Sequence, residues 1–281
     1  MAKPVRNSRS GELLERATLA LRMNHPREAE LLASEVLRAE RGNVLAASLL
    51  GQSLLTQNRP GEAIAPLERA AQRGGEPSTE TLLAIALASS GQRDAALAQL
   101  RKTTARRPVF PPAFRELASQ LAKGDESEAA IATLETCLAQ MPDLVELQMD
   151  LAALHLGRNN RAAARVALTK AIALAPHRAE ALALLARILV LDGECASAAD
   201  TYRQALALKP GDGKTRAEFA VCLMEMGQRD DGEANLRAAL RDRPDLLSFA
   251  IHSLAAPRHG RFFLRPSAVR KFLQDGGTDA A

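Results

Sequence analysis

From Ala179 to Leu191 the chain is apolar at helical spacing, with only Glu180 and Arg187 breaking the run. Asp192 and Gly193 interrupt it. The same spacing resumes from Ser197 to Leu208 and ends at Lys209, Pro210 and Gly211. Proline lacks the amide that a helix needs to continue, and glycine accepts the backbone turn that closes one. This stretch therefore predicts two helices joined by a short turn.

That outline recurs along the chain. Pro108, Pro142, Pro176, Pro210 and Pro244 stand 34 residues apart, and twelve residues before them lie Ala96, Ala130, Ala164, Ala198 and Gly232. Ala29 and Ala63 carry the second series upstream, at steps of 34 and 33. A further series of small residues shares the phase: Ala17, Gly51, Ala84, Ala118, Ala152, Ala186 and Ala220. Four residues after each member of the alanine series stands Ala33, Leu67, Leu100, Leu134, Leu168, Tyr202 or Leu236. Seven units thus cover residues 10–244. A small residue on each helix lets the two axes approach to about 8–10 Å, and the larger residue fills the space beside them. One such pair cannot bury its apolar face alone, so stability comes from stacking on its neighbours.

The pattern resembles the tetratricopeptide repeat, a 34-residue helix-turn-helix unit with small residues at positions eight and twenty and proline at thirty-two. The resemblance departs locally. The family's tryptophan at position four is replaced by Leu13, Ala47, Phe114, Gln148, Leu182 and Arg216, Arg41 and Gly75 stand at two proline positions, and His155 stands where Tyr is frequent. The resemblance implies an all-α fold, a right-handed α-solenoid of antiparallel helix pairs with C-terminal capping helices. It also implies a concave face that binds a peptide or partner protein. On that face it picks out Gln52, Arg115, Ser119, Lys123, Glu146, Met149, Glu180, Arg187, Lys214, Met224 and Glu225. The arginines and lysines suit acidic side chains or a peptide carboxylate, a preference that Glu146, Glu180 and Glu225 dilute. Some members clamp a chaperone's C-terminus with an Asn and basic residues. The ninth positions here, Thr18, Gln52, Ile85, Ser119, Ala153, Arg187 and Val221, include no Asn, so that clamp is not implied.

Beyond Pro244 the composition changes. Residues 245–275 carry one amphipathic stretch from Leu246 to Ala256, then Phe262, Phe263 and Phe272 among Arg258, Arg261, Arg265, Arg270 and Lys271. Ser267 can cap a short helix over Ala268–Gln274, with Gly276 as its stop. Two readings stand. The segment covers the open end of the seventh unit, or Phe262, Phe263, Arg265 and Phe272 dock a protein or an acidic membrane surface. Residues 1–9 read as a basic flexible N-terminus and 276–281 as a disordered tail.

Composition narrows the function. With 47% hydrophobic and 25% charged residues the chain is that of a folded protein, and 3% aromatics with abundant Ala and Leu favour thin helical layers over sheets. A net charge of +4 is too diffuse to imply nucleic acid. No apolar stretch follows MAKPVRNSR, and the run Ala181–Leu191 falls short of the ~20 residues that a membrane span needs. A cytoplasmic protein is expected, and the Ala, Leu and Arg bias suggests a bacterial genome. Cys137 and Cys222 fall on helices, Cys195 in a predicted turn, and no C-x-x-C occurs. There is no phosphate loop, no H-E-x-x-H and no metal-spaced Cys/His cluster, so no enzyme, cofactor, metal site or small-molecule substrate is expected. The leading expectation is a non-catalytic scaffold or adaptor. A regulatory or targeting module for a separately encoded sugar or sulfate transferase is the alternative, and an RNA-binding helical repeat the weaker one.

Overall fold

A computed structural model describes residues 4–255 and 266–274. Among the described residues sixteen α-helices and one short 3₁₀ turn account for the architecture, and no strand occurs. The chain divides into two compact units, Met1–Pro142 and Asp143–Ala281.

The first unit holds four antiparallel pairs: α1 (Pro4–Arg22) with α2 (Pro26–Ala39), α3 (Val44–Thr56) with α4 (Pro60–Gln72), α5 (Pro77–Ser89) with α6 (Arg93–Thr104), and α7 (Pro111–Lys123) with α8 (Ser127–Leu138). The second holds α9 (Val145–Gly157) with α10 (Arg161–Leu174), α11 (Ala179–Leu191) with α12 (Cys195–Leu208), and α13 (Gly213–Glu225) with α14 (Arg229–Asp242). The turn Pro244–Leu246, α15 (Leu247–Ala255) and α16 (Pro266–Gln274) follow. Within each unit every pair stacks on the next, α2 on α3 or α10 on α11 for example, which is the α-solenoid arrangement. Helix α11 has the bounds that its apolar run predicts. Helix α12 starts two residues earlier than predicted, at Cys195, and α1 starts at Pro4, ahead of residue 10.

Both small-residue series lie where helices touch. Ala29, Ala63, Ala96, Ala130, Ala164 and Ala198 are wholly buried, as are Leu67, Leu100, Leu134 and Leu236 beside them. Gly51 shows how tight the approach is, since a Cβ there would lie 2.3 Å from Leu67 Cγ. Alanine occupies the equivalent place in the other six pairs. Even so, Gly51→Ala is expected to destabilise the chain by about 1–2 kcal/mol, because overpacking against the buried Leu67 outweighs the roughly 1 kcal/mol gained in helix propensity. Urea unfolding tests this. A variant more stable than the parent would mean that Leu67 has room to turn away.

Every pair closes its first helix in the same way. Asn24, Asn58, Gly91, Asp125, Asn159, Gly193 and Gly227 all have positive φ, between 57° and 80°. The amide of the next residue donates to a carbonyl five residues back, as from His25 to Ala20 at 2.7 Å and from Glu194 to Leu189 at 2.8 Å. This is the left-handed closure that satisfies the last carbonyls of a helix. A Cβ on Gly193 would meet nothing within 4 Å. Gly193→Ala therefore isolates backbone strain, and a loss of about 1 kcal/mol in unfolding free energy is expected. An unchanged urea midpoint would show that the turn relaxes without cost. Side-chain caps add to the opposite ends, where Asn43, Asn160 and Asp212 accept from the amides of Ala46, Ala163 and Thr215.

The last pair of the second unit does not end bare. Ala250 and Leu254 of α15, with Val269 and Leu273 of α16, join Ala217, Ala220, Met224, Leu236 and Ala239 in one buried apolar cluster. These are the capping helices of the fold. They remove from water a face that a further pair would otherwise cover.

Candidate functional site

In the second unit the first helices of the pairs, α9, α11 and α13, carry most of the residues put forward for partner binding. Glu146 and Glu180 are already engaged. Arg178, at the start of α11, reaches Glu146 at 2.8 Å and Glu180 at 3.4 Å, and Lys209 reaches Glu180 at 3.2 Å. The backbone amide and Lys209 hold the Glu180 carboxyl below its ordinary range. Their negative charge is thus largely matched from within the unit.

Arg187 and Lys214 are different. Both are exposed, and neither makes an ion pair within 4 Å among the described residues. The acid they face electrostatically is Glu218 of α13, a half-buried carboxylate that burial holds above its ordinary range although both cations pull it down. The Tyr202 hydroxyl of α12 donates to Glu218 Oε2 at 3.4 Å. Burial, and then the charge of Glu218, hold that phenol protonated. One carboxylate, recessed and hydrogen-bonded to Tyr202, thus lies in the field of two outward-facing cations. Lys214 sits at the second position of its unit and Arg187 at the ninth of the preceding one, so the repeat itself brings them to one place.

The remaining expected residues fall out as follows. In the first unit Gln52 on α3 is exposed, as are Arg115 and Lys123 on α7, while Ser119 on α7 is half-buried. In the second unit Met149 is half-buried and Glu225 exposed. Met224 is not a surface residue. It is fully buried, because Gly232 opposite leaves it space and the capping helices close over it. Phe272, put forward for docking, packs on the capped end. The Arg237 guanidinium lies 4.6 Å from its ring centroid, and the buried Glu233 holds Arg237 at 3.3 Å and Arg229 at 3.1 Å. Phe262, Phe263 and Arg265 lie outside the described residues.

Two features escape the sequence pattern. A cleft of about 490 Å³ opens between α1 and α3, lined by Leu14, Glu15, Thr18, Leu19, Arg22 and Leu45, with Leu19 and Leu45 more than half exposed. In the third pair Glu80 occupies the fourth position, yet it is buried. Arg106 donates to it at 2.8 Å and to the Gly75 carbonyl at 3.1 Å, and Thr103 Oγ1 donates at 3.0 Å. No spacing in the sequence pairs Glu80 with Arg106, since the fourth position also carries Gln148 and Arg216 in other units.

Among the described residues no group of three or more His, Cys, Asp or Glu could hold a metal ion, and no helix is long and apolar enough to cross a membrane.

Comparison with known proteins agrees with this architecture. A tetratricopeptide-repeat family model matches residues 14–77, 81–143 and 149–213, and a second matches residues 189–256. The chain belongs to the tetratricopeptide-repeat family. Among solved structures, the C-terminal part of a TPR repeat-containing protein from Cytophaga hutchinsonii is 14% identical with a TM-score of 0.63, covering 86% of this chain and 99% of that one. PilF of Pseudomonas aeruginosa is 16% identical with a TM-score of 0.60, covering 73% and 94%. MamA is 20% identical with a TM-score of 0.53, covering 59% and 97%. At these identities the likeness is one of fold. A search of the curated proteins finds no match. Repeats of this family typically serve as non-catalytic scaffolds that bind proteins or peptides.

Proposed function

We propose that the chain is a non-catalytic scaffold that holds an acidic segment of a partner protein on the first-helix face of its second unit, with Arg187 and Lys214 as anchors. The observation that carries this reading is the inequality of charge on that face. Glu146 and Glu180 are matched by Arg178 and Lys209, whereas Arg187 and Lys214 make no ion pair among the described residues and feel the recessed Glu218 only at longer range. An arriving carboxylate would complete their coordination, and Arg187 offers it two parallel donors. The three thiols are free, which fits a reducing compartment such as the cytoplasm.

Affinity capture with the wild-type chain and with an Arg187→Glu/Lys214→Glu variant, read by mass spectrometry, tests the proposal. Each anchor contributes about 1.5–3 kcal/mol to a charge-assisted contact, so the double variant is expected to bind a recovered partner at least 100-fold more weakly. Equal recovery by both chains would overturn it. A single stoichiometric transferase among the captured proteins would instead make the chain a targeting module for that enzyme.

A further inference from the structure

Cys195 and Cys222 are 27 residues apart, on different helix pairs, yet they meet. Cys195 is the first residue of α12 and Cys222 lies within α13. The Cys222 thiol donates to the Cys195 carbonyl oxygen at 3.0 Å; Cys222 belongs to the buried apolar cluster around Tyr202 and Phe219, and the partly buried Cys195 packs against it. A carbonyl oxygen sits roughly 2.4 Å from its own Cα, so Cys222 Sγ is within about 5.5 Å of the Cys195 Cα. Cys222 Sγ lies about 2.8 Å from its own Cα, so the two Cα atoms are at most about 8 Å apart, and any excess over the roughly 4.4–6.8 Å that a disulfide needs is closed by a shift of α12 against α13.

We propose that this thiol pair is an oxidation site, where a hydroperoxide converts Cys195 and Cys222 into an intramolecular disulfide that ties α12 to α13. The two residues divide the chemistry by their surroundings. Cys222 is fully buried, and burial together with the neighbouring Cys195 pushes its thiol up to about 12. It therefore holds its proton and does not start the reaction. Cys195 is half-buried at the helix start and reaches solvent. Its sulfur attacks one peroxide oxygen; the O–O bond breaks, the thiol proton leaves with the departing oxygen, and a sulfenic acid and one water (or alcohol) form. Cys222 sulfur then attacks the sulfenic sulfur, and its proton and the leaving hydroxyl depart as a second water. Two thiols lose two electrons and the peroxide gains them. The bond would fasten together the helices that carry Tyr202 and Glu218, directly behind the Lys214 anchor.

The full chain is reduced, exposed to hydrogen peroxide under native conditions, quenched, unfolded, and treated with a maleimide before mass spectrometry. Alkylable cysteines are expected to fall from three to one, the survivor being Cys137, with the loss of two hydrogens and a peptide joining Cys195 to Cys222. In Cys195→Ser, a change at the half-exposed position that leaves the core intact, Cys222 is expected to stay fully alkylable. Three alkylable thiols after oxidation, a disulfide between two chains, or Cys195 carrying added oxygen beside an untouched Cys222 would each overturn the proposal. So would oxidation of Cys222 in Cys195→Ser.

Discussion

Truncation after Ala255 is expected to lower the stability of the second unit by on the order of 5 kcal/mol, or roughly 10–20 °C in melting temperature, and to leave the chain prone to aggregate. Among the described residues the loss comes from one place. Val269 and Leu273 of α16 sit in the cluster that also holds Met224, Leu236, Ala250 and Leu254, and Phe272 covers Arg237 beside it. Without α16 the residues left behind, Met224, Leu236, Ala250 and Leu254, lose their cover on a surface built to be covered. Leu273→Ala, which keeps the full chain, isolates the same contact at about 2–4 kcal/mol. Differential scanning calorimetry on both variants checks the expectation. Melting within about 2 °C of the parent for both would show that the last pair needs no cover and that α16 has another role.

Arg106→Ala should cost about 3 kcal/mol. The carboxylate it leaves behind, Glu80, has a side chain only 6% exposed, and a buried charge stripped of its partner is more costly than the pair itself. The figure sits toward the low end of the range because the Arg106 side chain is 41% exposed and partly screened. The cause can be separated from lost packing. Adding Glu80→Gln to Arg106→Ala removes the stranded charge and is expected to restore more than half of the stability. Chemical denaturation of the single and double variants gives the answer, and a double variant no better than Arg106→Ala would assign the loss to the broken bond with the Gly75 carbonyl instead.

The helix pairs are legible in the sequence because their contacts are local and periodic. Ala29, Ala63 and their successors must be small wherever two axes cross, so a packing constraint writes itself every 34 residues. The proposed binding face is legible only in part. Position within the unit sends Arg187 and Lys214 outward correctly, but the same rule sends Met224 outward, since it takes no account of Gly232 and the cap. Nor does it tell a matched glutamate from a recessed one. That distinction depends on Arg178, Lys209 and Tyr202, which stand on other helices and follow no period. Glu80 is hidden for the same reason, its partner being fixed by the fold and not by spacing.

The Tyr202 contact also bears on how such an array lengthens by duplication. Gly51 and Leu67 belong to one pair, so a copied second pair brings its lock and key together. The phenol of the sixth pair answers to a carboxylate in the seventh. Copied alone into another setting, that module would arrive with a hydroxyl seeking a neighbour it left at home, and the growth of the chain at that end is tied to carrying both modules at once.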